Sequence, residues 1–267
     1  MTKVNKNFSD IPDILKNETR ENIFNANIKA GKYIDKSNLY KTSSVQKELT
    51  KIYYFKCAYC EKKLLDTDLH IEHYRPKSVY YWLAYSWDNL LLSCGQCNRK
   101  KRNNFKIENS MAIYNNEEFS NIHNLSESYN KIEKPYAINP EKEDVFDKLI
   151  YDENAIIKSS DKRVLYTIND LCGLNRNELI EKRIQLITDF KNVVEDYFYS
   201  FSQDSDEDIK SNIKFFIPLV KDFVSKVTLE SEFYTFRRFI IMNIDVFFDN
   251  EDIKKILKVL ISKLSNA

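Results

Sequence analysis

Glycine is scarce in this chain of 267 residues, with three in all, at positions 31, 95 and 173. Neither common phosphate loop, Gly-x-Gly-x-x-Gly or Gly-x-x-x-x-Gly-Lys-Ser/Thr, can be written from them. The usual backbone cradles for nucleotide phosphates are therefore excluded, and any dependence on ATP has to come from a partner. No apolar run approaches the roughly 18 residues of a membrane-spanning helix. The first residues, Met1-Thr2-Lys3-Val4-Asn5-Lys6, also lack the apolar stretch of a secretory signal. A cytoplasmic setting with no membrane partner is expected, where cysteine pairs serve more readily as metal ligands than as disulfides. Net charge is close to nil, with 41 Lys and Arg against 40 Asp and Glu. Attraction of the whole chain to nucleic acid is thereby excluded.

What is present is a core-forming composition, with 43% hydrophobic and 13% aromatic residues, so the chain is not of the disordered class. Charge is uneven along it. Between residues 70 and 106 lie Arg75, Lys77, Arg99, Lys100, Lys101, Arg102 and Lys106 against Glu72 and Asp88 alone, whereas residues 195–208 are acidic. Such a basic stretch is either a solvated face or a phosphate-contacting one.

The densest chemistry falls inside that stretch. Cys57-Ala58-Tyr59-Cys60 and Cys94-Gly95-Gln96-Cys97 are two Cys-x-x-Cys pairs. Each short turn aims two thiolates at one point, and together they can close a tetrahedral Zn²⁺ shell. Four thiolates leave no open position, so such a zinc would hold the fold. Cys172 has no partner spacing and reads as a core residue. Between the pairs lie His70-Ile71-Glu72-His73, Pro76-Lys77 and Trp87-Asp88-Asn89-Leu90, and Asn98 follows the last cysteine.

This arrangement resembles the HNH endonuclease family in its four-cysteine form. More narrowly, it resembles the HNH subunit of Septu-type antiphage systems, the PtuB-like branch that also serves some retrons as an effector. The resemblance implies a zinc-stabilised ββα-metal unit, and an α+β, mostly helical chain with a small β-hairpin and a helical C-terminal region. It implies that His73 is the general base and that Glu72 and Asn98 hold Mg²⁺ or Mn²⁺ through oxygen. Asn89 would secure the loop and orient His73. Imidazole has a pKa suited to deprotonating water near neutral pH, and oxygen donors suit hard cations. Arg75, Lys77, Arg99, Lys100, Lys101 and Arg102 would contact nucleic acid, DNA first and RNA (tRNA included) second. The resemblance also implies a partner ATPase of the PtuA type. A zinc-finger binding module without chemistry is the alternative of another class. His70 is expected to face solvent or neighbour the zinc, and His123 carries no signal. Tyr80, Tyr81, Trp82 and Tyr85 either stack on bases or pack the small domain.

Along the chain, residues 1–50 read as an N-terminal helical arm and 51–110 as the nuclease core. Residues 111–160 read as a connecting segment with a hairpin, and 161–267 as a helical partner-binding region. Ser43 with Gln46 reads as a capping box opening a helix toward Cys57. Two strands are expected within 61–77. Leu149-Ile150-Tyr151 and Ala155-Ile156-Ile157 suit a hairpin. Residues 201–208 are the best linker candidate, and Pro218 is expected to kink or end a helix that begins near 207.

Overall fold

The computed structural model describes residues 1–201 and 206–265. The chain divides into two compact units, Met1–Leu149 with Ser159–Leu174, and Ile150–Lys158 with Asn175–Ala267. The architecture is mostly helical with two small antiparallel hairpins. No helix among the described residues is long and apolar enough to cross a membrane.

The first unit opens with α1 (Glu18–Ala30), whose cap Asn17 accepts from the Arg20 N–H. Gly31 ends it at φ 60°, a left-handed conformation that glycine adopts without steric cost. Helix α2 (Ser43–Ile52) buries Val45 and Leu49 and delivers the chain to Cys57. Its cap is Thr42, one residue before the expected Ser43, because the Thr42 hydroxyl accepts from the Val45 N–H.

Strand β1 (His70–His73) pairs antiparallel with β2 (Leu90–Ser93), in the register His70 with Ser93, Glu72 with Leu91 and His73 with Leu90. The partner of the histidine strand is thus Leu90-Leu91-Leu92-Ser93, which corrects the expectation that both strands lie within 61–77. Only an isolated bridge, Lys56 with Lys63, and a 3₁₀ turn occupy the earlier part of that range. Helix α3 (Gly95–Lys101) follows β2 at once and completes a strand, strand, helix unit. The side chains of Tyr80, Trp82 and Tyr85 are buried, so packing is what occupies them. Helix α4 (Ser126–Glu133) turns Ser126, Asn130 and Glu133 to one side.

The second unit includes the hairpin β3 (Ile150–Tyr151) and β4 (Ile157–Lys158). Helix α5 (Lys162–Tyr166) and the π turn Thr167–Leu171 belong to the first. The rest of the second unit is α6 (Asn177–Phe201), α7 (Asp206–Ser225), α8 (Tyr234–Met242), α9 (Ile244–Phe247) and α10 (Glu251–Ser265). Its core is aromatic: Phe190 stacks on Phe223 at 4.0 Å, and Tyr151 packs on Phe236 and Phe239. Helix α7 runs through Pro218 rather than ending there. Residues 202–205, half of the proposed linker 201–208, lie outside the described residues, and the other half falls at the end of α6 and the start of α7.

Candidate metal centre and catalytic cleft

The two Cys-x-x-Cys turns face each other across the root of the β1–β2 hairpin. The first is tied to β2 by the Ala58 N–H donating to the Leu92 carbonyl at 2.9 Å. The second caps α3, with Cys94 Sγ accepting from the Cys97 N–H at 3.4 Å. The sulfurs of Cys57, Cys60, Cys94 and Cys97 are all buried and lie within 4.8 Å of one another. The Cys60 and Cys94 sulfurs are 3.8 Å apart. That is close to the edge of a tetrahedron built on Zn–S bonds of about 2.3 Å. The donor set is all thiol and fully sequestered, and it is compatible with a structural zinc.

The sequence marks Cys172 only as a core residue, whereas His70 is expected either at the surface or beside the zinc. Cys172, buried just after the π turn, brings its thiol within hydrogen-bonding reach of Cys97. Gly95 sits so tightly that a Cβ there would come within 3.0 Å of Asp68 Oδ1 and of His70 Nε2. His70 therefore adjoins the zinc-binding turn.

Helix α3 and strand β1 bring Glu72, His73 and Asn98 to one cleft of about 510 Å³, also lined by Asn38, Tyr40, Lys41, Lys77, Arg99 and Arg102. His73 is buried, and its Nε2 lies 2.9 Å from the Ala84 carbonyl oxygen. A carbonyl can only accept, so the ring proton sits on Nε2 and Nδ1 is left with its lone pair. The ring edge of Tyr40 closes on His73 at 4.4 Å between centroids. Burial pulls the imidazole down to about 3, against the opposing pull of the Ala84 contact, and Lys77, Lys101 and Lys41 lower it further. The ring is neutral across the physiological range.

Glu72 accepts from the Asn98 amide through Oε2. Its Oε1 accepts from the Lys101 ammonium at 2.9 Å and from the His73 N–H at 3.1 Å. Burial raises its pKa, and Lys101 pulls in the opposite direction. The carboxylate of Glu72 and the side-chain oxygen Oδ1 of Asn98 are donors that suit Mg²⁺ or Mn²⁺, while the Asn98 Nδ2 is the atom that meets Oε2.

Asn89 reaches neither the cleft nor the imidazole. Its Oδ1 accepts from the Arg75 N–H at 2.7 Å, and its Nδ2 donates to the carbonyls of Arg75 and Leu83 at 3.1 and 3.2 Å. It thereby fastens the loop that presents the Ala84 carbonyl to His73. The turn carrying Asn89 is gripped from behind by the buried Lys6, whose Nζ donates to the Trp87 and Leu90 carbonyls at 2.7 Å each. His123, which gave no signal, is buried and accepts from the Trp87 N–H through Nδ1 at 3.0 Å.

The basic residues divide sharply. Arg75 is 1% exposed and cannot contact nucleic acid. Its guanidinium donates to Glu133 at 2.8 Å, Asn130 at 2.7 Å and Ser126 at 3.2 Å, which corrects the reading of Arg75 as a phosphate contact. Lys101 is corrected likewise: it is fully buried on Glu72 and on the His73 carbonyl. Lys77, Arg99 and Arg102 do line the cleft, joined by Lys41 from the loop before α2. Lys100 is exposed but outside that lining, with its aliphatic stem near Gly173.

Residues 57–104 match the HNH endonuclease family. The chain is 34% identical over 171 residues to Septu protein PtuB of Bacillus mycoides (strain KBAB4), covering 57% of this chain and 54% of that protein. It is 27% identical over 210 residues to Septu protein PtuA of the same strain, covering 74% of this chain and 26% of that one. With Septu protein PtuB of Bacillus thuringiensis it shares 46% identity over 48 residues, 17% of this chain and 19% of that one. The chain thus spans about half the length of the first PtuB relative, and smaller shares of the other two. No solved structure matches. Residues 57–104 are thus similar to the HNH endonuclease family, and the chain is similar in sequence to PtuB over about half of each protein.

Proposed function

We propose that this chain is a metal-dependent HNH endonuclease that hydrolyses phosphodiester bonds of nucleic acid in antiphage defence, working with a partner ATPase. The observation that carries the reading is the state of His73. Its Nε2 proton is committed to the Ala84 carbonyl at 2.9 Å, so the free Nδ1 is the basic nitrogen, and it shares a cleft with Glu72 and Asn98. Nδ1 takes a proton from the attacking water. Glu72 and Asn98 hold Mg²⁺ or Mn²⁺, whose charge polarises the phosphate and stabilises the departing oxygen. The low basicity of His73 rises when an anionic phosphate offsets Lys41 and Lys77 beside it. Asn89 and Tyr40 keep the imidazole in place, while Lys41, Lys77, Arg99 and Arg102 hold the phosphate backbone. Cys57, Cys60, Cys94 and Cys97 bind a structural zinc.

The substrate is DNA in the first instance, with RNA as the second candidate. Likeness to both Septu proteins supports a Septu-type assembly. The PtuA relative contains a stretch similar to most of this chain, which supports a functional tie between the two kinds of protein. Residues 51–110 are the nuclease core, flanked by the arm 1–50 and the connecting segment 111–160, and residues 161–267 dock the ATPase. The test is cleavage of plasmid and of structured RNA with Mg²⁺ or Mn²⁺, against EDTA and against His73→Ala. Cation-dependent cleavage lost in the variant supports the reading, and its absence from the wild-type chain together with its partner ATPase overturns it.

A further inference from the structure

One base beside the cleft cannot reach a nucleic acid. Lys101 is fully buried in the last turn of α3, three residues beyond Asn98. Its ammonium is held at 2.9 Å from Glu72 Oε1 and 2.7 Å from the His73 carbonyl oxygen. Taking an ammonium out of water is costly unless a carboxylate and further acceptors receive it, and here both are supplied by the two residues at the centre of the site.

We infer that Lys101 is the resident counter-ion of Glu72, and that it makes the divalent cation and the phosphodiester load together rather than one before the other. The inference rests on the phosphodiesterase reading above. Oε1 of Glu72 is taken by Lys101 and by the His73 N–H, so Oε2, shared with the Asn98 amide, is the oxygen left for a cation. Glu72 is the sole acid of the cleft lining among the described residues, and its charge is already offset by Lys101. The remaining charged groups there are Lys41, Lys77, Arg99 and Arg102. A divalent cation entering alone meets a site of net positive charge, which repels it. A phosphodiester brings negative charge and further oxygen ligands to the same place, so it relieves the repulsion and completes the shell. Linkage makes the effect reciprocal: the cation strengthens nucleic-acid binding by the same factor.

Mn²⁺ titration of the zinc-loaded His73→Ala protein, read by the EPR signal of free Mn²⁺, tests this without cleavage. Affinity is measured alone and with a short DNA duplex or an RNA hairpin, after subtracting Mn²⁺ held by the nucleic acid itself. Mn²⁺ should bind at least about tenfold tighter when nucleic acid is present, within the usual range of coupling between sites. Adding Lys101→Met should tighten Mn²⁺ binding to the free protein and shrink the coupling, the opposite of what a merely structural lysine would do. Lys101→Arg should preserve the coupling. Should Lys101→Met fail to retain zinc or its melting temperature, the coupling in the His73→Ala protein and in the Arg variant decides. Equal Mn²⁺ affinity with and without nucleic acid overturns the inference, as does weaker Mn²⁺ binding by a stably folded Lys101→Met protein. When the wild-type chain cleaves and the coupling is absent, only this inference falls. When it cleaves nothing alone or with its partner ATPase, the hydrolase reading falls too.

Discussion

Asn89 grips the backbone of Arg75 from both sides, accepting from its N–H at 2.7 Å and donating to its carbonyl at 3.1 Å. The same amide donates to the Leu83 carbonyl, one residue before the acceptor of His73. Asn89→Ala should therefore lower stability and activity together. Each buried backbone group left without a partner costs about 1–3 kcal/mol. Denaturant unfolding and cleavage rate check this, and a variant unchanged in both would show that the amide is dispensable.

The four-cysteine cluster should make folding depend on zinc. Cys57→Ser or Cys97→Ser should release the ion and lower the melting temperature, because binding of a structural zinc is itself folding free energy. Elemental analysis alongside calorimetry measures both. A metal-free protein that melts like the wild type would disprove the structural role.

His73→Ala should lower the cleavage rate by about 10²–10⁴-fold, the usual contribution of a positioned general base. Zinc content should not change, since the imidazole contacts Ala84 and Tyr40 rather than a thiol. Single-turnover rates at saturating cation give the number. Undiminished cleavage would place the base elsewhere.

The division among the arginines predicts two different phenotypes. Arg75→Ala breaks a buried ion pair with Glu133 and should destabilise the fold by about 3–5 kcal/mol. Its folded fraction should keep the wild-type salt dependence of nucleic-acid binding. Arg99→Ala with Arg102→Ala should do the reverse, leaving stability near wild type and making the salt slope shallower through lost phosphate contacts. Binding isotherms at several salt concentrations separate the two, and a shallower slope for Arg75→Ala would restore it to the phosphate surface.

Stability should also depend on pH through His123. Burial, with a smaller contribution from Lys16, lowers its pKa to about 4 in the fold, against about 6.5 in an unfolded chain. The folded state favours the neutral ring, so its contribution is full above pH 6.5 and is lost as pH falls toward 4. Protonation also removes the lone pair that accepts the Trp87 N–H. The wild type should lose more melting temperature over that interval than His123→Gln, and parallel curves would rule the residue out.

The part of the site legible in the sequence was the part carried by short spacings. The cysteine turns, the helix leading into Cys57 and the adjacency of Glu72 to His73 need only local chain geometry, and the structure brings them together. Strand β2 was hidden because Leu90, Leu91 and Leu92 are all fully buried, so no alternation of polar and apolar residues marks them. The fates of Arg75 and Arg99 were not separable, since both read as bases beside the motif. What decides is Glu133 on α4, distant in sequence, which draws one guanidinium inward. Tyr40 and Lys41 sit in a loop without motif and reach the cleft only through the fold.

Helix α3 carries Cys94 at its cap, Cys97 and Asn98 in the next turn and Lys101 at its end. The cluster that fixes the helix is thus continuous with the residues that face Glu72. With zinc bound as proposed, a chain starved of it would have no rigid α3 from which to present Asn98 or Lys101, whatever the condition of His73. On the proposed function, metal supply during synthesis would then act as an arming step: molecules that never acquire zinc would be born inert and spare the host's own nucleic acid.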